Sequence, residues 1–330
     1  MGVMIDGRWT TDERASSLVF ENGRWLRPTS TIRHWVTADG SAGPTGDAGY
    51  RAEPGRYHLF VSYGCPWAHR TLIFRVLKGL EELVSVSVAL PRRSDDGWIF
   101  SPEPCEYFDH CLGKHALWEV YAEGHPGFTG RVTVPVLYDK RTGTVVNNES
   151  ADIIRMLNSA FDDVGANDND YYPEPLRPEI DALNERIYSS LNNGVYRAGF
   201  SQTQEAYEEA FDDVFATLDF LDERLRSRRY LCGSTQTEAD WRLFPTLVRF
   251  DVAYHYAFKC NLRRLQDYEN LWPYTRDLYQ TPGIAEIVFP DLYKYGYFSI
   301  SELRNPLGIV PKGPIVDFSA PHNRGSLGAV

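Results

Sequence analysis

The order of segments along the chain predicts an α/β domain followed by an all-helical domain. Two observations carry this. Between Tyr57 and about Leu157, short β-branched runs alternate with helical stretches, whereas from about Pro175 only helical periodicity is found. A stretch rich in Asp, Asn and Pro, about 162 to 175, separates the two parts. The chain has 330 residues, which is roughly two domains of about 150 residues each and enough for a full core without disulfide staples.

The elements of the first part follow in order. Residues 58–62 read as a buried strand, and 66–80 as a helix with Pro66 in its first turn, where a missing N–H costs nothing. Residues 84–90 alternate at period two and form a second strand. Residues 132–138 and 143–146 form a hairpin around a turn at 139–143, and 149–161 form a helix. The order is βαβ, an insertion, then ββα, which is the thioredoxin-like order of a small α/β sandwich. In the second part the periodicity predicts helices over 178–193, 203–227, 238–258, 272–280 and 283–293. Thr237 with Asp240 three residues later is a variant capping box for the third of them. Residues 1–50, rich in Gly, Ser, Thr and Asp with isolated tryptophans, read as an extended arm. The tail from about Asn305, with four prolines, reads as irregular.

Composition narrows the function. The net charge is −11, from 34 Lys and Arg against 45 Asp and Glu. That disfavours broad binding to phosphate backbones, which needs a basic face. The five cysteines (Cys65, Cys105, Cys111, Cys232 and Cys260) are widely spaced and contain no C-x-x-C pair, so neither a zinc knuckle nor a two-cysteine redox motif is expected. A reducing cytoplasm fits this usage. The first residues have no apolar stretch of signal-peptide length, and no run of membrane-spanning length occurs. No G-x-G-x-x-G follows a strand, which disfavours a dehydrogenase.

Three stretches carry chemistry. In S-Y-G-C-P-W-A-H, Cys65 follows a strand and immediately precedes a helix, where orphan N–H groups and the helix dipole favour an anion. Such sites commonly lower a thiol from near 8.5 to about 3.5–7.5, so Cys65 is placed to be a thiolate nucleophile. The alternative is a buried structural cysteine. In R-V-T-V-P-V, Pro135 lies inside a strand pattern. It fits either a plain edge strand or a cis bond that turns the backbone of Val134 outward to pair with an extended ligand. In N-N-E-S, Glu149 and Ser150 precede a helical run; taken alone they read as capping groups. His69 lies one helical turn from Cys65. A metal pair there has no further ligands at a suitable spacing, and a role as base for Cys65 is the other option. Cys105 and Cys111 could resolve a disulfide, though nothing requires it.

Taken together, C-P-W-A-H-R-T-L from Cys65, G-W-I-F from Gly97, T-G-R-V-T-V-P-V from Thr129, N-N-E-S from Asn147, N-N-G-V-Y-R-A-G-F from Asn192, E-A-D-W-R-L-F from Glu238 and N-P-L-G-I-V-P from Asn305 resemble the glutathionyl-hydroquinone reductases, the xi class of glutathione transferases. The resemblance runs from about residue 30 to 318. It implies the glutathione transferase fold, an α/β N-terminal thioredoxin-like domain followed by an all-α C-terminal domain. The chain then divides into an arm (1–50), a glutathione-binding domain (51–165), a helical domain (175–300) and a tail (301–330). It implies a homodimer, glutathione as co-substrate, no metal, and no nucleic-acid or membrane partner. Glutathione would meet Trp98, Arg131, Val134, Pro135, Glu149 and Ser150. The quinol would meet Tyr196 and Tyr297, with Tyr295 as the alternative, because Y-G-Y-F-S stands here in place of the family's Y-Y-x-S-H run.

The implied reaction is attack of the Cys65 thiolate on the sulfur of a glutathionyl-hydroquinone, leaving a Cys65–glutathione disulfide that a second glutathione resolves. Phenolic donors would stabilise oxygen charge on the ketonised ring. γ-Glutamylcysteine would satisfy the same γ-glutamyl contacts. The competing readings are a conjugating transferase, which normally uses Ser or Tyr rather than Cys, and a non-catalytic binding subunit.

Overall fold

A computed structural model describes residues 2–11, 19–301 and 304–328. Its contacts divide into two compact units. One comprises Pro28–Asn169 with a first N-terminal hairpin; the other comprises a second hairpin and the chain from Asp170 onward.

The first unit is built on a four-stranded sheet in the order β6-β5-β7-β8, formed by β5 (Tyr57–Val61), β6 (Val84–Val88), β7 (Val136–Asp139) and β8 (Thr144–Asn147). β5 pairs parallel to β6 (Leu59 opposite Val86) and antiparallel to β7 (Leu59 opposite Leu137), while β7 and β8 form the antiparallel hairpin. All five residues of β5 are buried, as a central strand covered on both faces requires. α1 (Pro66–Leu77) packs on α3 (Ser150–Ser159), and α2 (Leu117–Gly124) packs beside β8. α1 stops three residues earlier than its periodicity predicts. Gly79 adopts φ +65 there, and the buried Lys78 ammonium reaches the Asn169 carbonyl at 2.7 Å and Asp162 at 2.9 Å. A cation and a left-handed glycine are both favoured at a helix C-terminus.

β7 begins at Val136, not at 132. Pro135 has no N–H for a ladder, and the carbonyls before it are engaged by side chains: Thr133 accepts from the Tyr121 hydroxyl at 3.0 Å and Val134 from the Cys65 thiol at 3.5 Å. The N-terminal stretch expected to run extended instead holds two hairpins, β1 (Val3–Ile5) with β2 (Arg8–Thr10) and β3 (Val19–Glu21) with β4 (Arg24–Leu26). Their turns, Asp6-Gly7 and Asn22-Gly23, have positive φ at both positions, the signature of two-residue hairpins. The first hairpin is tied into the first unit, where Met4 and Gly130 exchange two backbone bonds of 2.9 Å. Past it, residues 32–34 lie along β8, with His34 N–H donating to Val146 O and Arg33 bridging to Asn147.

The second unit is helical: α4 (Arg177–Ile187), α5 (Gly194–Phe200), α6 (Gln204–Leu225), α7 (Glu238–Arg249), the short α8 (His255–Ala257), α9 (Leu271–Tyr279) and α10 (Pro290–Tyr297). Single π turns at Tyr188–Asn192 and Phe250–Tyr254 follow α4 and α7. The capping box forms, and the buried Asp240 carboxylate accepts from Thr237 N–H at 2.7 Å, Leu231 N–H at 2.8 Å and Tyr274 OH at 2.7 Å. The helix expected over 283–293 does not form as one piece. Pro290 cannot continue a helix from the preceding turn; it opens α10 instead, after a non-helical Phe289. The tail is irregular but anchored. Phe318 is buried against Trp272 and Tyr279, and the buried Arg324 guanidinium donates to the carbonyls of Leu225, Arg228 and Arg229. Among the described residues no helix is long and apolar enough to cross a membrane.

Candidate active site

In the first unit the chemistry gathers at the ends of β5 and β7. Cys65 is the N-cap of α1, with extended backbone (φ −85, ψ 121) and no acidic residue in the helix's first turn. Its thiol is partly exposed and points at the carbonyl of Val134. The Val134–Pro135 peptide is cis. Turn geometry fixes the cysteine from the other side, where its N–H donates to Ser62 O at 3.0 Å. His69, buried, lies one turn into α1 and donates its backbone N–H to Cys65 O. Among the described residues no group of three or more potential ligands is placed to hold a metal.

Glu149 caps α3, accepting from Ala151 N–H at 3.2 Å and from the Ser30 hydroxyl at 2.9 Å. Ser150 is buried at the same helix start, and its hydroxyl has no hydrogen-bond partner among the described residues. A buried polar atom left unpaired is costly, and here it lies where α3 presents its orphan N–H groups. This arrangement suits a ligand carboxylate. The arm braces the corner, because Ile32 N–H donates to Asn148 Oδ1 and Arg33 forms a two-pronged ion pair with Asp152. Arg33 and Ser30 carry no local signal in the sequence and were not anticipated.

Trp98 follows a tight turn in which Ser94 and Gly97 exchange two backbone bonds of 3.0 Å, with Gly97 at φ +77. A β-carbon at Gly97 would also sit 3.1 Å from the Trp9 ring, so the glycine serves both conformation and packing. The Arg93 guanidinium lies 5.2 Å over the Trp98 ring. Arg131 is half-buried next to Gly130, the residue bound by the first hairpin.

In the second unit Tyr196 on α5, Tyr254 on the π turn and Tyr297 at the end of α10 join their hydroxyls. Tyr196 and Tyr297 are 2.5 Å apart, and Tyr254 and Tyr297 3.1 Å. Of the two candidate tyrosines on α10, Tyr297 is the one bonded to Tyr196, and Tyr295 is exposed. Burial, then the neighbouring phenols, pushes Tyr297 and Tyr254 well above the ordinary tyrosine range, so both remain protonated donors at neutral pH. Gly199 lets α5 approach; a β-carbon there would lie 2.2 Å from Phe258. The second hairpin closes the cluster, with Trp25 against Tyr196 and Phe200 and the Arg27 guanidinium 5.0 Å over the Tyr196 ring. Tyr254, on the π turn, was missed by sequence reasoning, because no local motif marks it.

A thioredoxin-like unit with an N-capping cysteine beside a cis Val-Pro, followed by a helical unit, defines the glutathione transferase class. Family models agree: "Glutathione S-transferase, N-terminal domain" matches residues 64–160 and "Glutathione S-transferase, C-terminal domain" matches 204–277. The chain is 50% identical over 327 residues to "Glutathionyl-hydroquinone reductase YqjG" of Escherichia coli, covering 98% of each. It is 50% identical over 317 residues to "Glutathionyl-hydroquinone reductase PcpF" of Sphingobium chlorophenolicum, covering 95% of this chain and 96% of that one. Among solved structures, glutathione-bound YqjG superposes with a TM-score of 0.89 at 48% identity, over 98% of this chain and 99% of the other. The xi-class enzyme of Natrialba magadii gives 0.89 at 46% identity, over 99% and 98%. The chain belongs to the glutathionyl-hydroquinone reductase family, the xi class of glutathione transferases.

Proposed function

We propose that this chain is a glutathione-dependent reductase that removes glutathione from S-glutathionyl-hydroquinones, with Cys65 as nucleophile. The observation that carries the reading is the placement of the Cys65 thiol at the α1 N-terminus against Val134 O, in the same unit as the unpaired Ser150 hydroxyl. In this reading residues 51–165 bind glutathione. Val134 pairs with its backbone beside Pro135, Glu149 takes the γ-glutamyl ammonium, Ser150 and the α3 N–H groups take its carboxylate, and Trp98 and Arg131 add contacts. The helical region 175–300 supplies Tyr196 and Tyr297 to the quinol, and 301–330 is the tail.

The chemistry proceeds in two steps. The Cys65 thiolate attacks the thioether sulfur; an S–S bond forms, the C–S bond breaks, and its electron pair passes to the ring carbon. A quinol in its keto form places charge on oxygen as that carbon leaves, and phenol donors such as Tyr196 and Tyr297 stabilise it. In the keto form that ring carbon already carries its hydrogen, so the phenolate oxygen takes the proton, giving free hydroquinone. A second glutathione thiolate attacks the glutathione sulfur of the mixed disulfide, releasing oxidised glutathione and the Cys65 thiolate. The net reaction consumes one glutathione per conjugate reduced.

The test is turnover of a glutathionyl-hydroquinone with free glutathione, following hydroquinone and oxidised glutathione in parallel. Equal yields of the two are expected, and Tyr297→Phe should lower kcat by about tenfold or more. Absence of hydroquinone from a glutathione-binding wild-type protein would rule the substrate out. The five free cysteines support a reducing, cytoplasmic setting. A homodimer is carried over from the family resemblance, and the exposed Ile300, Leu307, Ile309 and Ile315 give it an apolar surface. A monomeric mass in light scattering would end that assignment.

A further inference from the structure

A polar relay crosses the sheet of the first unit away from Cys65. His58 on β5 and Asp109 in the insertion are each 1% exposed, and Ser87 on β6 lies between them, fully buried. The Ser87 hydroxyl donates to Asp109 Oδ1 at 3.1 Å, so its oxygen must accept from His58 Nε2 at 2.9 Å. The other ring nitrogen, Nδ1, therefore accepts from the Ser85 hydroxyl at 2.8 Å, and Ser85 Oγ accepts from Lys140 Nζ at 3.2 Å. Every proton in the chain has one assignment, and burial keeps the imidazole neutral, pushed down to about 3.

Asp109 is also the centre of a turn. Its oxygens accept the N–H groups of Cys111 at 2.9 Å, Leu112 at 3.2 Å and Lys114 at 2.9 Å, and His110 N–H donates back to Ser87 Oγ at 2.9 Å. The turn delivers the backbone of residues 115–117 to the segment after Gly97. Phe100 N–H donates to His115 O and Leu117 N–H to Trp98 O, both at 2.8 Å. The segment after Trp98 is also held from just past β6, where Leu90 N–H donates to Ile99 O at 2.9 Å, and by Phe100 packed on Phe60, so the Asp109 turn is the polar one of its anchors.

We infer that Asp109, docked on the sheet through Ser87 and His58, is a positioning residue that sets where Trp98 stands. It would thereby set part of the affinity for glutathione. The inference rests on the assignment of Trp98 to glutathione made above. A half-disconnected buried network is a poor anchor, so loosening it frees the loop that carries Trp98 without touching the ligand.

The experiment is a double-mutant cycle read by calorimetric titration of reduced glutathione under a phosphine reductant. Asp109→Asn and the milder Ser87→Ala are each made in the wild type and in Trp98→Ala, with melting temperature measured alongside. The expected result is glutathione affinity about three- to tenfold weaker for Asp109→Asn and Ser87→Ala in the wild type, the range of coupled neighbours. No further loss is expected in the Trp98→Ala background. Equal losses in both backgrounds, or none in either, would overturn the positioning role while leaving Trp98 at the ligand. Trp98→Ala binding as tightly as wild type would overturn the Trp98 assignment itself, and the inference with it. Ser87→Ala keeps the Asp109 turn bonds intact, so it decides the matter should Asp109→Asn fail to fold.

Discussion

Cys65→Ser is expected to reduce turnover of a glutathionyl-hydroquinone by at least about a thousandfold while leaving glutathione affinity within about threefold. The hydroxyl cannot form a mixed disulfide, and its oxygen is a far weaker nucleophile toward sulfur. Binding persists because the γ-glutamyl contacts proposed for Glu149 and Ser150 do not involve the sulfur. Intact-mass measurement after reaction with the conjugate in the absence of free glutathione gives the sharper reading. Wild type should gain a single glutathione, removable by dithiothreitol, and Cys65→Ser none. Three of the other four thiols cannot substitute readily. Burial pushes Cys111 and Cys232 up to about 11 and Cys260 up to about 12, so each stays a thiol at neutral pH. A serine variant that retained wild-type turnover would move the nucleophile elsewhere and dismantle the mechanism.

Asp139→Ala is expected to destabilise the first unit by about 3–5 kcal/mol, the loss typical when one partner of a buried ion pair is removed. Asp139 is fully buried at the end of β7, and the Arg56 guanidinium grips it with two bonds of 2.9 and 2.6 Å. Thr142 Oγ1 and Arg141 N–H complete its shell at 2.8 and 2.9 Å. Removal leaves a buried guanidinium whose remaining partners among the described residues are Glu53, two carbonyls and the Tyr57 ring. Burial by itself raises the Asp139 carboxyl, but the bonds from Arg56, Thr142 and Arg141 outweigh it and hold the group below the usual range. A depressed carboxyl contributes its full stability above the unfolded value near pH 4 and loses it as pH falls through the folded value. Urea denaturation should therefore show the wild-type advantage complete at pH 7 and shrinking below about pH 4. The double variant Arg56→Met, Asp139→Leu should recover much of the loss. A difference under about 1 kcal/mol at pH 7 would mean the pair is cancelled by its desolvation.

What the sequence made legible were features written in consecutive residues. Strand periodicity, a proline at a helix start and a glycine at a turn located β5, Cys65 and α1 to within a few residues. The same local logic anticipated the cis bond at Pro135 and the cap at Thr237. Errors arose where tertiary partners override local pattern. Residues 132–135 have strand composition, yet their carbonyls are claimed by Cys65 and Tyr121. Residues 283–293 have helical periodicity, but Pro290 restarts the helix. Illegible altogether were contacts between residues far apart in sequence, including Ser30 on Glu149, Tyr254 on Tyr297 and the Ser87 link to Asp109. None of these leaves a periodic trace, because each is a single side chain whose partner lies at least 22 residues away.

The second hairpin has a consequence for how the molecule comes into being. Its ion pair from Arg24 to Glu209 spans 185 residues. The Arg324 clamp on Leu225 spans 99. The bonds described for Pro28–Asn169 close within that span or onto the first hairpin, so this unit can be complete while translation continues. The helical unit instead joins the second hairpin, made before Pro28–Asn169, to helices made after it. Its assembly must wait until Arg324 has been made, and a chain stopped before that point would carry a folded thiol domain and an open helical one.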